Sequence, residues 1–381
     1  MYRDLEVKKK KEDLSIIDLG YNSIKVSNYC IYKNGHYSKE SQLQEYVQIG
    51  HNLSKNNNII KTENVERVVK FLNKFKDESK QLKIDTVIPI ATSAIRDADN
   101  GKEVIRQIKR NSGFEFNILS GLEEGFFSYL GSQSKMHIPN GIFFDLGGGS
   151  IEIIHVENFI IKKIVCLDLG VLRLYDKFIE SNDYVEDRYN QLEEYLYNQI
   201  PSREQFDLNI NTSNTLVGIG GTIRTLYKFI SGIFKIVPFF SHSQSMITKK
   251  LVDMSNDIFK NLSQNELLQI KLIDQQRSRT IPTGSCIIKT LMERLNFLNA
   301  IVCSTGLREG ILENYLYLNM DKKYRSRKKF IESNYDRLSS IIYSNNSPSS
   351  IEKNFNEFDL PIQDRDKFPQ KINSTKINKI K

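Results

Sequence analysis

Apolar runs alternate along this chain with stretches of helical period, and one apolar–turn–apolar pattern is written twice. Residues 14–26 read LSIIDLGYNSIKV and residues 141–154 read GIFFDLGGGSIEII. Aligned on Asp18 and Asp145, 127 residues apart, both copies give D-L-G-x-x-S-I, then a charged residue, then an aliphatic one. Each copy predicts a strand, a tight turn and a second strand. A period of 127 residues is the size of a domain rather than of a solenoid unit, so the pattern predicts two related domains.

The intervening segments fill in the class. KVSNYCIYKN continues as strand, and residues 63–80 carry apolar side chains at 65, 68, 69, 72 and 75, a helical stripe. KIDTVIPIAT reads as a strand running into a polar loop, TSAIRDADNG. Residues 101–112 read as a helix, FEFNILS as a strand, and GLEEGFFSYLG as the start of another helix. VGIGGTIRTLYKFI at 217–230 repeats the strand–helix step, and residues 248–316 are largely helical. Alternation of this kind predicts an α/β fold. The expected division is a first domain over 14–122 and a second over 123–316, whose last helix is free to pack back on the first. A basic polar tail, partly disordered or helical, covers 317–381.

Charge alters the picture only at the ends. The chain carries +8 overall, but residues 319–381 hold 14 Lys/Arg against 8 Asp/Glu, leaving residues 14–318 at +1. The basicity belongs to a solvated tail, so nucleic acid is not an expected partner of the core. Cys30, Cys166, Cys286 and Cys303 are scattered, with no C-x-x-C, which excludes a zinc ribbon or disulfide framework and suits a reducing cytoplasm. The start of the chain lacks the apolar stretch of a secretory leader, and no run reaches the length of a membrane span.

Three glycine-rich turns carry the candidate chemistry. Gly147, Gly148 and Gly149 follow an apolar strand, and Gly218, Gly220, Gly221 and Thr222 sit at a strand–helix step. Successive backbone N–H groups in such turns make an anion site, strengthened by a helix N-terminus. One such turn is ordinarily a plain hairpin; three in one chain favour phosphate. Asp18 and Asp145 each close an apolar strand, where a carboxylate can hold Mg²⁺ directly or through water. Strand alternation puts Glu152 on the same side as Ser150, the alternative being a surface glutamate. Glu123 and Glu124 open a helix, where composition alone favours capping. Arg96 and Arg308 could each grip two phosphate oxygens, although each in isolation reads as a surface salt bridge. The five histidines (His36, His51, His137, His155, His242) lie outside these turns, so Ser23, Ser150 and Thr222 are not expected nucleophiles.

In order, DLGYNS, ATSAIRDADNG, ILSGLEEG, FFDLGGGSIE, DLGVLRL, VGIGGTIRTL and TGLREGIL resemble the signature blocks of the exopolyphosphatase / guanosine pentaphosphate phosphatase family, over residues 14–316. The resemblance implies two ribonuclease-H-like domains around a cleft, the architecture of the actin-like, sugar-kinase and heat-shock ATPase superfamily, in the short two-domain form. It implies Glu124 as catalytic base with Arg96 contacting phosphate beside it. Asp145 and Glu152 then hold Mg²⁺ or another divalent cation. Asp18, Asn22, Ser23, Gly147, Gly148, Gly149, Ser150, Gly221, Thr222 and Arg308 bind substrate phosphates. Three positions depart from the family pattern: Tyr21 and Ile151 replace a usual serine and threonine, and Gln48 a frequent arginine. None removes an implied acid, base or metal ligand.

The expected activity is hydrolysis of terminal phosphoanhydride bonds of inorganic polyphosphate, with guanosine pentaphosphate as the alternative substrate. An actin-like ATPase or kinase and a non-catalytic binder are the rival classes; the Glu-Glu block and the intact Glu124 oppose them. A homodimer is left open, and no membrane partner is expected.

Overall fold

The computed structural model describes residues 9–180, 185–206, 215–235, 245–319, 331–334, 372 and 374–377. His242 and nearly all of the basic tail lie outside the described residues. The chain divides into two units, Met1–Glu124 with Arg308–Lys381, and Gly125–Leu307.

The first unit opens with an antiparallel meander, β1 (Lys10–Leu19), β2 (Ile24–Tyr32) and β3 (Tyr37–Glu45). Helix α1 (Thr62–Gln81) follows, then β4 (Thr86–Ala91), α2 (Ser93–Asp97), α3 (Gly101–Ser112), β5 (Asn117–Ile118) and the start of α4 (Gly121–Ser132), which from Gly125 onward belongs to the second unit. β4 lies parallel to β1 and β5 parallel to β4, so the sheet reads β3-β2-β1-β4-β5. Every residue of β4 is buried, as expected for a strand covered on both faces. The stripe on α1 buries Val65, Val68, Leu72 and Phe75 and adds Phe71, while Val69 is only half-buried.

The second unit repeats the order. β6 (Gly141–Leu146), β7 (Ile151–Glu157) and β8 (Ile160–Leu167) form its meander. After α5 (Val171–Leu174) and α6 (Val185–Gln199) come β9 (Leu216–Ile219), parallel to β6, and α7 (Gly221–Ile233). β10 (Met246–Thr248), α8 (Lys249–Lys260), α9 (Gln264–Gln269), α10 (Gln275–Ser278), α11 (Ile281–Arg294) and β11 (Asn299–Val302) complete it. The sheet reads β8-β7-β6-β9-β11-β10. Both sheets therefore share the ribonuclease-H-like order, three antiparallel strands with parallel strands added beside the first. This is the α/β class that the duplicated motif predicts.

Helix α12 (Leu307–Asn319) belongs, from Arg308 onward, to the first unit. There the Tyr29 hydroxyl donates to Glu309 and that of Tyr315 to Glu12, both at 3.1 Å. The tail also contributes: β12 (Thr375–Lys376) pairs antiparallel with Val87 and Thr86 of β4, and Ile377 is buried beside it. Within the tail the composition suggests disorder or helix, not strand. Two residues in a Lys/Asn-rich run carry no alternation to read. Two further differences concern local elements. FEFNILS shrinks to the two-residue β5, after which Ser120 caps α4. TSAIRD is a short helix, α2, rather than a loop.

Helix α11 is the core of the second unit, buried on nearly every side, with Pro282 in its first turn. Three helices meet at one carboxylate: Glu193 of α6 accepts from Lys260 of α8 at 2.8 Å and from Lys289 of α11 at 3.0 Å. Burial alone would push the Glu193 carboxyl up; the two lysine hydrogen bonds outweigh it and hold it below its ordinary value. A depressed carboxylate stabilises the fold above its unfolded pKa and loses that contribution as the pH falls through the folded one. Glu193→Gln should therefore unfold at lower denaturant at neutral pH, by ~0.5–1 kcal/mol. The gap to wild type should close in acid, below 4.5; urea titrations at neutral and acidic pH measure both.

Candidate functional site

Parallel pairing places the turns. In the first unit Asp18, next to last in β1, lies beside Ile90 of β4 and opposite Lys25 of β2. Gly20 N–H closes the turn onto Ser23 O at 3.1 Å. Ser23 is buried and Asn22 half-buried. The loop after β3 docks on this turn: Gln48 N–H donates to Asn22 O at 2.8 Å and Gly50 N–H to Tyr21 O at 3.0 Å. The departure at Tyr21 fits because residue 50 is glycine; a Cβ there would lie 2.6 Å from the tyrosine ring. Gln48 itself adopts a left-handed φ of 52°.

Two arginines converge on carboxylates in this unit. Arg308, in the first turn of α12, donates from Nη1 to Asp18 Oδ2 at 3.3 Å, and its buried Nε has no partner among the described residues. Arg96, on α2, donates from Nη1 to Glu124 Oε2 at 2.9 Å and to Leu119 O at 3.1 Å. Isolated arginines read as surface salt bridges; these side chains are only 8% and 12% exposed. The Glu-Glu pair divides its labour. Glu123 makes the capping box, accepting from Ser120 N–H at 2.8 Å while Ser120 Oγ accepts from its own N–H. Glu124, one residue on, is left to Arg96 instead of the cap. Composition alone therefore accounts for Glu123 and misses Glu124.

The second unit builds the same turn with different surroundings. Gly147 N–H donates to Ser150 O at 3.0 Å, the counterpart of the Gly20–Ser23 bond. The three glycine carbonyls are all engaged by the following DLGVLRL segment. Gly147 O accepts from Val171 N–H, Gly148 O from Leu172 N–H, and Gly149 O from Gly170 N–H and Arg173 Nε. With the carbonyls turned that way, the Gly148 and Gly149 amides meet no backbone acceptor among the described residues. Such amides form an anion-binding concavity.

Beside that turn lies the third. Asp145 of β6 is in register with Ile219 of β9, which brings Gly220 and Gly221 alongside. Gly220 has φ 105°, and a Cβ on it would come 3.0 Å from Asp145 Oδ1. Gly221 begins the 13-residue helix α7, followed by buried Thr222, so its first amides add a positive helix end. A side chain at 221 would strike the guanidinium of Arg277, whose Nη2 lies 2.2 Å from the Cβ position.

The two copies differ in charge. Opposite Asp18 stands Lys25, and Arg308 reaches the same carboxylate. Opposite Asp145 stands Glu152, so two carboxylates share one sheet face. Glu152 is 1% exposed, which removes the reading of a surface glutamate. The Ser150 hydroxyl next to them is buried without a partner among the described residues. Two carboxylates and an unengaged hydroxyl are the hard oxygen donors that suit Mg²⁺, so these residues fit a divalent cation. The first copy, its aspartate ion-paired with Arg308, suits an anion.

Sequence reasoning missed several residues here. Arg277 lies in the featureless stretch QQRSRT, and no local signal marks it. Ser128 stands one helical turn after Glu124, and that spacing is the one sequence signal that could have found it. Cys166 comes opposite Glu152 only through the β7–β8 register.

Fold and turns together define the class: an α/β protein of two ribonuclease-H-like units, each with a glycine-bearing turn after its first strand. The chain belongs to the Ppx/GppA phosphatase family, whose sequence model matches residues 32–318. It is similar to a bifunctional 3-dehydroquinate synthase/phosphatase of Fusobacterium nucleatum, 27% identical over 73% of this chain. The alignment spans only 42% of that relative's length. It is also similar to exopolyphosphatase 1 of Mycobacterium leprae, 19% identical over 78% of this chain and 88% of the relative. A crystal structure of an exopolyphosphatase from Cytophaga hutchinsonii shares the fold with TM-score 0.71 at 21% identity, over 80% of this chain and 98% of that one.

Gly170 tests the seat of the second turn. A Cβ there would lie 2.2 Å from Gly149 C and 2.4 Å from Gly148 C, both backbone, so the turn must shift. Gly170→Ala is expected to lower phosphatase turnover on the order of 10²-fold with an unchanged far-ultraviolet circular dichroism spectrum.

Proposed function

We propose that this protein is an exopolyphosphatase, releasing orthophosphate from the end of inorganic polyphosphate by attack of water on the terminal phosphorus. The observation that carries the proposal is the buried Glu124–Arg96 pair, a carboxylate set apart from the helix cap and held in one orientation. Glu124 takes the proton of the attacking water, and Arg96 keeps its carboxylate aimed. The Gly148 and Gly149 amides, the Ser150 hydroxyl, the α7 N-terminus at Gly221 and Thr222, and Arg277 take the phosphate oxygens. In the first unit the turn of Asp18, Asn22 and Ser23, with Arg308 held by Asp18, takes further phosphate groups. A divalent cation such as Mg²⁺ at Asp145 and Glu152 would supply charge neutralisation of the phosphate oxygens when bound. Phosphoryl transfer passes through a loose transition state, so orientation and electrostatics carry most of the acceleration.

The choice of polyphosphate is supported by the likeness to exopolyphosphatase 1 of Mycobacterium leprae. It is supported also by the chemistry of the turns: backbone amides and arginines read repeated phosphates and require no base.

Phosphate release from long-chain polyphosphate, guanosine pentaphosphate and ATP at matched concentration tests the substrate. Polyphosphate should be strongly preferred; preference for guanosine pentaphosphate would replace the substrate and leave the hydrolase class intact. Glu124→Gln should cost roughly 10²–10⁴-fold in turnover with substrate binding retained, and near-wild-type turnover would remove Glu124 from its role.

A further inference from the structure

Each carboxylate of the Asp145–Glu152 pair has one oxygen engaged by a neutral donor from a different element. The Ser128 hydroxyl, fully buried on α4, donates to Asp145 Oδ2. The Cys166 thiol, buried on β8 as the register partner of Glu152, donates to Glu152 Oε1 at 3.2 Å. The other oxygen of Asp145, Oδ1, lies on the side of Gly220 and the α7 turn. Helix α4 also packs close to the stem of Glu152: a Cβ on Gly125 would lie 3.3 Å from Glu152 Cβ.

We propose that Ser128 and Cys166 are positioning residues for the divalent cation, each holding one carboxylate oxygen so that the other is presented to the metal. The inference rests on the cation site assigned above to Asp145 and Glu152. Neutral donors are what such a task requires. A lysine or arginine in either place would orient its carboxylate but cancel the charge that attracts the cation, as Arg308 does at Asp18. A hydroxyl or thiol directs the oxygen and leaves the charge intact.

Mn²⁺ binding to the full chain, read by the electron paramagnetic resonance of free Mn²⁺, tests this without reference to turnover. Asp145→Asn should abolish binding. Ser128→Ala and Cys166→Ala should each weaken it about 10–100-fold, the usual cost of losing a group that orients a metal ligand. Cys166→Ser, which keeps an O–H donor, should recover most of the affinity. Metal-free melting curves establish that each variant is folded; should Ser128→Ala fail to fold, Cys166→Ala against Cys166→Ser decides. Wild-type affinity in both alanine variants, with binding lost in Asp145→Asn, overturns the positioning role and leaves the cation site standing. Unchanged binding in Asp145→Asn overturns both.

Discussion

Parallel pairing of the first strand of each meander with the strand that follows the crossover governs everything else in this molecule. The backbone hydrogen bonds of β1 with β4 and of β6 with β9 fix which residues end side by side. They set the Asp18 turn beside the approach to Arg96, and the Asp145 turn beside Gly220. Strand ends supply both the polar backbone groups and the side chains, so the chemistry is confined to the carboxyl edge of each sheet. Once the register is set, glycine at 147–149 and 220–221 is what lets two backbones and a guanidinium share the space.

A duplicated hairpin has thus been kept as a backbone device and changed as an electrostatic one. The hydrogen bond across the turn is the same in both copies, 3.1 Å in one and 3.0 Å in the other. The residue facing the aspartate is lysine in one and glutamate in the other. One substitution across a strand pair inverts the sign of the site that the turn supports. Low local dielectric magnifies that inversion at Asp18 and Glu152, which are buried.

The sequence made the fold legible because its strongest signals are local and periodic. The two D-L-G-x-x-S copies, the buried run TVIPIA and the stripe on α1 each satisfy a single geometric period. The candidate site was legible where residue type restricts conformation, as at Gly220, or where a motif repeats, as at Asp145. It was not legible where partners come from distant segments. Nothing near Cys166 announces Glu152, and nothing near Arg277 announces Gly221; both pairs exist only through tertiary register. Glu123 and Glu124 show the limit within one dipeptide, since a helix start explains the first and only Arg96, 28 residues away, explains the second. The tail strand β12 escaped for the opposite reason, being too short to show a period.

The composition of the first unit has a consequence for how the chain is made. Its sheet and helices draw on residues up to Glu124 and again from Arg308 onward, whereas the second unit is a single uninterrupted span. On a ribosome, the whole span 125–307 is made before the last segments of the first unit. The first unit must wait, holding Glu12 without Tyr315, Asp18 without Arg308, and the outer edge of β4 without β12. Contacts closing over some 300 residues are slow to form, so the unit whose sequence comes first is the one whose folding finishes last.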